Sequence, residues 1–289
     1  MIKEITARVL LSSVKQPDSW FGIKYNMNLY RGCQHQCIYC DSRSECYQIE
    51  NFSDILVKVN AIELLRKELA RKRVKGTIGT GSMNDPYMPL EAKLNLTGRA
   101  LQVIAEHRFP VHIITKSDLV LKDLDTLRQI NQVYAAVSFT ITTADDDLGK
   151  KVEPGAPLVS KRFEAMQVLA ANGILTGVTM MPILPFIEDQ EENIAAIVTR
   201  AGECGAAYIL PWFGMSLRDR QRAYYYDRLD SLFPGVRQKY ERHFGERYYC
   251  ASPNAARLER VFLDLCQQHG IATRIKPYLP EATAQLQLL

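Results

Sequence analysis

The segment NLYRGCQHQCIYCDSRSECYQ, Asn28 to Gln48, carries four of the chain's seven cysteines: Cys33, Cys37, Cys40 and Cys46. The first three are spaced C-x3-C-x2-C. Thiols at this density serve a disulfide framework, a zinc site or an iron–sulfur site, and each makes a different demand on the rest of the chain. A structural zinc site takes two ligand pairs well separated in sequence, which close a tetrahedron around the ion. No second C-x2-C pair exists here, and His35 stands between Gln34 and Gln36 in what reads as a plain polar loop. A [4Fe–4S] cluster ordinarily takes four thiolates. Three from one tight loop would leave one iron without a protein ligand, and an open metal position is where a substrate or cofactor binds.

The whole chain narrows these choices. An odd number of cysteines argues against a disulfide framework. The start, MIKEITARVLLSS, has no long apolar core and no small-residue cleavage site, which predicts no signal peptide and a cytoplasmic, thiol-reducing location. The longest apolar run, Gly173 to Ile187, is broken by Thr176, Thr179, Pro182 and Pro185 and predicts no membrane span. With 289 residues, 47% hydrophobic and 24% charged, there is ample length for a buried core. The net charge of +4 is only mildly basic, so a polyanionic partner is allowed but not required.

The elements that must position the cysteines follow in alternation. Lys24 to Tyr30 reads as a strand, Ile55 to Lys72 as an amphipathic helix and Gly76 to Gly81 as a short strand. Helices at Leu96–His107, Leu121–Ile130, Ser160–Asn172 and Glu191–Cys204 alternate with strands at Val111–Thr115, Tyr134–Thr142, Ile174–Met181 and Ala207–Phe213. About six strand–helix units with short loops imply a parallel sheet with right-handed crossovers. The predicted class is α/β, a partial (β/α)6 TIM-type barrel, though a doubly wound open sheet fits the same order. Residues 1–213 form the expected core, and 214–289 an Arg/Tyr-rich helical extension packed on it, in one domain. In either architecture the chemistry lies at the carboxyl ends of the strands. The cysteine loop, GSMNDPYMPLE, TKSD, TTADDD and MPILPFIED all follow strands there.

The C-x3-C-x2-C spacing with Tyr39 before the last cysteine resembles the radical S-adenosylmethionine superfamily. NLYRGCQHQCIYC, NDPYMPLE, TKSD, SFTIT, EPGAP with Arg162, and MPILPF extend the likeness to its spore photoproduct lyase-like (DNA repair photolyase-like) subgroup, from Val9 to Trp212. The resemblance implies a [4Fe–4S] cluster on Cys33, Cys37 and Cys40. S-adenosyl-L-methionine would take the open iron and yield a 5′-deoxyadenosyl radical when reduced, with a flavodoxin or ferredoxin type electron donor. It further implies that Tyr39 lies near the adenine, Lys116 meets the cofactor's carboxylate and Ser138 touches the cofactor. Glu153 and Arg162 are expected to brace a loop as a pair. Asp85 and Glu91 are candidates to meet the substrate, although Asp85 also suits the Asp-Pro turn. The lyase keeps a hydrogen-returning cysteine near the end of its second strand, and Gly76 to Glu91 contains none. Cys46 is the substitute candidate, against the plainer reading of an inert buried thiol.

A DNA substrate is suggested by two stretches. RKELARKRVK is strongly basic, and Ser216 to Tyr249 interleaves arginines with tyrosines that could pair with phosphates and stack on bases. The plainer alternatives are a solvated helix end and a lid whose tyrosines pack on the barrel. A radical enzyme acting on a small molecule or peptide, and a non-catalytic iron–sulfur sensing protein, remain open on the sequence.

Overall fold

The computed structural model describes residues 1–14 and 20–280. Its strands, in chain order, are β1 (Ile2–Ile5), β2 (Leu11–Ser13), β3 (Tyr25–Met27), β4 (Tyr30–Arg31), β5 (Ile55–Lys58) and β6 (Ile78–Gly79), followed by β7 (Val111–Thr115), β8 (Ala135–Thr140), β9 (Leu175–Met180), β10 (Tyr208–Pro211), β11 (Gly214–Ser216) and β12 (Tyr249–Ala251). The main sheet runs β10-β9-β8-β7-β6-β3-β2. All its pairs from β3 to β10 are parallel, and β2 caps the edge antiparallel to β3.

Helices cover the outside of this curved sheet. They are α1 (Ala61–Arg71), α2 (Glu91–Leu94), α3 (Leu96–Glu106), α4 (Leu124–Asn131), α5 (Asp146–Val152), α6 (Val159–Ala171) and α7 (Glu191–Glu203), with α8 (Asp219–Leu232), α9 (Val236–Phe244) and α10 (Ala255–His269) after the last barrel strand. Six parallel strands, with helix directly after β6, β7, β8 and β9 and after short strands beyond β3 and β10, make the expected partial barrel. All six residues of β8 are buried, as befits a strand covered by helix on one face and by the barrel interior on the other. α10 packs on α7, which closes the outer layer beyond β10.

Three expectations change. The predicted first strand, Lys24 to Tyr30, splits into β3 in the main sheet and β4 in a side sheet of order β1-β5-β4. The predicted helix from Ile55 begins as β5, because Ile55 and Val57 alternate inward with period two, and helix starts only at Ala61. The region after Phe213 is not purely helical, since β11 and β12 pair antiparallel. Residues 281–289 of the expected extension lie outside the described residues.

A second core cluster joins Cys37, Ile38 and Tyr39 to Met215, Leu217, Tyr225, Tyr226 and Tyr240. The C-terminal region therefore packs directly on the cysteine loop.

Glu91 is not a substrate group but an internal brace. It is fully buried and accepts hydrogen bonds from the backbone N–H groups of Leu96 (3.1 Å) and Thr97 (2.8 Å), from the Tyr30 hydroxyl and from Lys122 Nζ (3.2 Å). It satisfies the open N-terminus of α3 and ties β4 to that helix. Glu91→Ala should destabilise the protein by about 1–3 kcal/mol, because it leaves the buried N–H groups of Leu96 and Thr97 and the Tyr30 hydroxyl unpaired. Urea unfolding measures this, and a loss under about 1 kcal/mol would contradict the bracing role.

Candidate active site

A cavity of about 260 Å³ opens at the carboxyl ends of the parallel strands. Cys33, Cys37 and Cys40 line it, together with His35, Tyr39, Asp85, Lys116, Thr140, Trp212 and Met215. The cysteine loop leaves β4 through Gly32 at φ +79°, where a Cβ would lie 2.3 Å from the Asp54 carbonyl oxygen. Gly155 of EPGAP packs as tightly from the other side. A Cβ there would stand 2.1 Å from the Gln34 carbonyl oxygen, and the Gly155 N–H donates to the His35 carbonyl at 2.9 Å. Further bonds fix the loop: Ile38 N–H to the Val152 carbonyl (2.9 Å), Leu90 N–H to Gln34 Oε1 (2.6 Å) and Gln221 Nε2 to the Tyr39 carbonyl (3.1 Å).

Behind the loop lies a buried charge cluster. Glu153 and Arg162 are each 1% exposed and meet at 2.5 Å, which is the expected bracing pair. Glu153 also accepts the Tyr39 hydroxyl, and Lys116 Nζ stands 3.8 Å from its Oε1. Burial pushes the Glu153 carboxyl up, but Arg162 and Lys116 outweigh it and hold the group below its usual range. Burial likewise presses the Lys116 ammonium down, and a Cys37 thiolate together with the Glu153 carboxylate more than reverses this. The Lys116 ammonium lies 5.7 Å from the centre of the Tyr39 ring.

Asp85 positions the strand ends. Its carboxylate accepts from the Thr115 hydroxyl (2.7 Å) and from the N–H groups of Lys116 (2.6 Å) and Tyr87 (2.8 Å). Burial raises its pKa, yet the His35 ring and the hydrogen bonds win and hold it at about 2. His35 is 1% exposed, which corrects its reading as a plain loop residue. Its Nδ1 lies 3.3 Å from Asp85 Oδ2, and among the described residues neither buried ring nitrogen has a hydrogen-bond partner.

The donor set fits an iron–sulfur cluster. All three thiols are free, and burial pushes Cys33 up to about 12 and raises Cys37 and Cys40 as well, so each stays protonated until a cation replaces the proton. Among the described residues, no group of three or more His, Cys, Asp or Glu converges as ligands to a single ion. The thiols instead share the wall of a cavity, alongside the His35 ring.

Other candidates lie elsewhere. Ser138 does not line this cavity: it is buried one layer deeper, 2.7 Å from His112 Nε2 and 2.7 Å from the Tyr208 hydroxyl. Thr140, two residues on along β8, reaches the cavity instead. Cys46 is exposed, with its nearest polar contact the Ser44 hydroxyl at 3.4 Å, and it also lies off the cavity. That overturns the buried-thiol reading and places the thiol outside the pocket. Trp212, Met215 and Ser216 were missed because they follow β10, where the sequence pattern loses its alternation. His35 could have been found, since Cys33, His35, Cys37 and Tyr39 recur with period two and all line the cavity.

The Arg/Tyr stretch is mostly internal wiring. Arg218 pairs with Asp41, Arg220 donates to the carbonyls of Arg43 (2.7 Å) and Ile49 (2.5 Å), and Arg222 donates to those of Gly245 (2.6 Å) and Leu217 (3.0 Å). Tyr225, Tyr226 and Tyr240 are buried, and Tyr225 donates to the Tyr240 hydroxyl at 3.0 Å. In the basic stretch, Arg66 pairs with Glu106 and Lys67 with Glu63.

A second chamber of about 430 Å³ adjoins the cavity and shares Gly81, Ser82, Ile114 and Thr140 with it. Val14, Phe21, Ile23, Asn26, Thr80, Thr179 and Met181 line the rest, and among the described residues no charged side chain does.

Among the described residues no helix is long and apolar enough to cross a membrane. The chain is 35% identical over 193 residues to an uncharacterized protein of Methanocaldococcus jannaschii, covering 66% of this chain and 70% of that one. It is 26% identical over 272 residues to an uncharacterized protein of Mycobacterium tuberculosis, covering 91% and 79%. A radical SAM Nalpha-GlyT isomerase of Pseudomonas phage M6 is 23% identical over 181 residues, which are 63% of this chain but 37% of that protein. The fold matches a spore photoproduct lyase complexed with dinucleoside spore photoproduct at TM-score 0.71 and 16% identity, over 93% of this chain and 79% of the lyase. It also matches the radical S-adenosylmethionine methyltransferase TsrM of Kitasatospora setae at TM-score 0.54 and 13% identity, over 84% and 51%. Residues 27–198, which contain the cysteine loop, β6 to β9 and their crossovers, match the model of the Radical SAM superfamily. The chain is a member of the radical S-adenosylmethionine superfamily, enzymes that use a [4Fe–4S] cluster and S-adenosylmethionine.

Proposed function

We propose that this enzyme directs its radical at an uncharged group held in the second chamber, and that the group is a nucleobase of DNA. When bound, the cluster and S-adenosylmethionine supply a 5′-deoxyadenosyl radical able to take hydrogen from an unactivated carbon. In this reading Cys33, Cys37 and Cys40 hold the iron, Lys116 faces the carboxylate of S-adenosylmethionine and Tyr39 borders the same space. Asp85 acts by fixing the Lys116 backbone and Thr115. Thr140 stands where the two chambers meet.

One observation carries the substrate class: among the described residues, the chamber beside the cofactor cavity offers hydroxyl, amide and aromatic surface and no charge. A phosphate or carboxylate inside it would lose its water with no counter-charge in return. A neutral heterocycle would find donors and acceptors on Asn26, Thr80 and Thr179 and an aromatic face on Phe21. The volume lies within the roughly 300–1,000 Å³ of small-ligand sites. Enzymes that act on a base commonly draw it into such a pocket. The dinucleoside spore photoproduct held by the lyase of like fold favours a base over other neutral groups. A free small molecule is the second reading, favoured by the internal bonding of Arg218, Arg220 and Arg222, which leaves fewer cations for phosphates.

Anaerobic, reduced protein should form 5′-deoxyadenosine faster when oligonucleotides carrying modified or damaged pyrimidines are added. Stimulation by a free metabolite and by no oligonucleotide would establish the second reading. Thr179→Met fills the chamber and should reduce substrate-stimulated turnover by about 100-fold, the scale of a 1 Å misplacement, while unstimulated cleavage persists.

Two measurements test the cofactor residues. Cys33→Ala, Cys37→Ala and Cys40→Ala should each lose bound iron after anaerobic reconstitution. Cys46→Ala should keep its iron and unfold within about 0.5 kcal/mol of the wild type. Lys116→Ala should keep the iron but bind S-adenosylmethionine roughly 10- to 100-fold more weakly by titration, the scale of one charged hydrogen bond. Unchanged affinity would remove Lys116 from the cofactor site.

A further inference from the structure

The peptide that carries the cysteines is a wall one residue thick. Cys33, His35, Cys37 and Tyr39 line the cofactor cavity, whereas Gln36 and Ile38, the residues flanking Cys37, line a separate groove of about 730 Å³. Among the described residues the cavity and the groove share no lining residue. Ile38, Pro154, Tyr224 and Leu232 give the groove an apolar surface, and Lys150, Lys151 and Arg228 are its exposed cations. Among the described residues Asp147 is the one carboxylate in its lining. The wall is stiff: Gln36 Nε2 donates to the Cys33 carbonyl at 2.5 Å, and Ile38 N–H bonds the end of α5. Arg43 donates to Gln36 Oε1 at 2.7 Å while its guanidinium stacks 3.6 Å from the centre of the Tyr224 ring.

We propose that this groove is the docking surface for an acidic, low-potential one-electron carrier protein that reduces the cluster. The inference rests on the ligand role given above to Cys37. Such a carrier is itself a folded protein, so it cannot enter a 260 Å³ cavity and must deliver its electron through protein. Electron transfer weakens steeply with distance, and the single-residue wall at Gln36–Ile38 is the thin place. The basic rim would steer an acidic partner, and the apolar surface beneath would exclude water once it has docked. The carrier gives up one electron and leaves one unit more oxidised; no bond, proton or group moves. A nucleic acid could satisfy the same cations, but bases lying in the groove would be walled off from the cavity where the radical forms.

The test uses cluster-loaded protein and a reduced flavodoxin as the probe. K150E/K151E/R228E, and separately the milder K150Q/K151Q, are compared with wild type. Flavodoxin binding, followed by titration calorimetry at several salt concentrations, should weaken about tenfold or more in the charge-reversal variant, with a flatter salt dependence. Cluster reduction by flavodoxin, followed by bleaching of visible absorbance, should slow in parallel. Reduction by dithionite, iron content and the thermal midpoint should stay as in wild type. Unchanged flavodoxin affinity in both variants would overturn the proposal, as would lost oligonucleotide binding with flavodoxin affinity intact. Retention of the cluster in Cys37→Ala would instead defeat the ligand role, so the two failures are distinguishable.

Discussion

The arrangement depends on one buried carboxylate. Glu153 lies almost fully out of water, and an isolated carboxylate there would be untenable. Arg162 from α6, Lys116 after β7 and Tyr39 from the cysteine loop each supply part of what it needs. Because these partners come from three separate crossovers, satisfying one charge registers three loops against each other. The pairing also keeps a cation, Lys116, at the cavity wall rather than folded away. A hydrophobic replacement could stabilise the same spot as well, but it would not leave a lysine aimed at an anion.

The glycines around the loop show how little slack this permits. Gly32 and Gly155 lie where a single methyl group would overlap a backbone oxygen. RGC and EPGAP are thus two halves of one fitting, although they stand more than a hundred residues apart. The C-terminal region completes it through Gln221 on the Tyr39 carbonyl, Ser216 on Asp41 at 3.0 Å and the packing of Met215 against Cys37 and Tyr39. The cysteine loop is held from both sides, which suits a site that must bind a cluster without reshaping.

That same clamp explains why composition misleads in the last third of the chain. Arginines interleaved with tyrosines suggest a surface for phosphates and bases, yet these arginines mainly satisfy backbone carbonyls left open by irregular turns. The chain has to cover a loop rich in unpaired carbonyls, and guanidinium groups with several donors do so efficiently. Tyrosines then fill the space between α8, α9 and the cysteine loop, where the Tyr225 hydroxyl donates to that of Tyr240.

The C-x3-C-x2-C spacing, the alternation of strand and helix patterns, and Lys116 just past VHIIT were legible in the sequence because each is local. Hydrophobic period and short-range spacing need no knowledge of what lies across the molecule. The partial barrel and the rim of loops followed from them. The side sheet of β1, β4 and β5 was not legible, since two-to-four-residue strands carry too little pattern to separate from a helix start. Burial of a polar side chain was not legible either. Glu91 became a brace and Ser138 a buried partner of His112 and Tyr208 because of neighbours far away in the chain, and Cys46 became an exposed thiol. By itself the sequence determined which chemistry the chain is equipped for. Tertiary structure alone decided which side chains face the cavity, because the side of the backbone each residue presents depends on strand register and on the loops that pack against it.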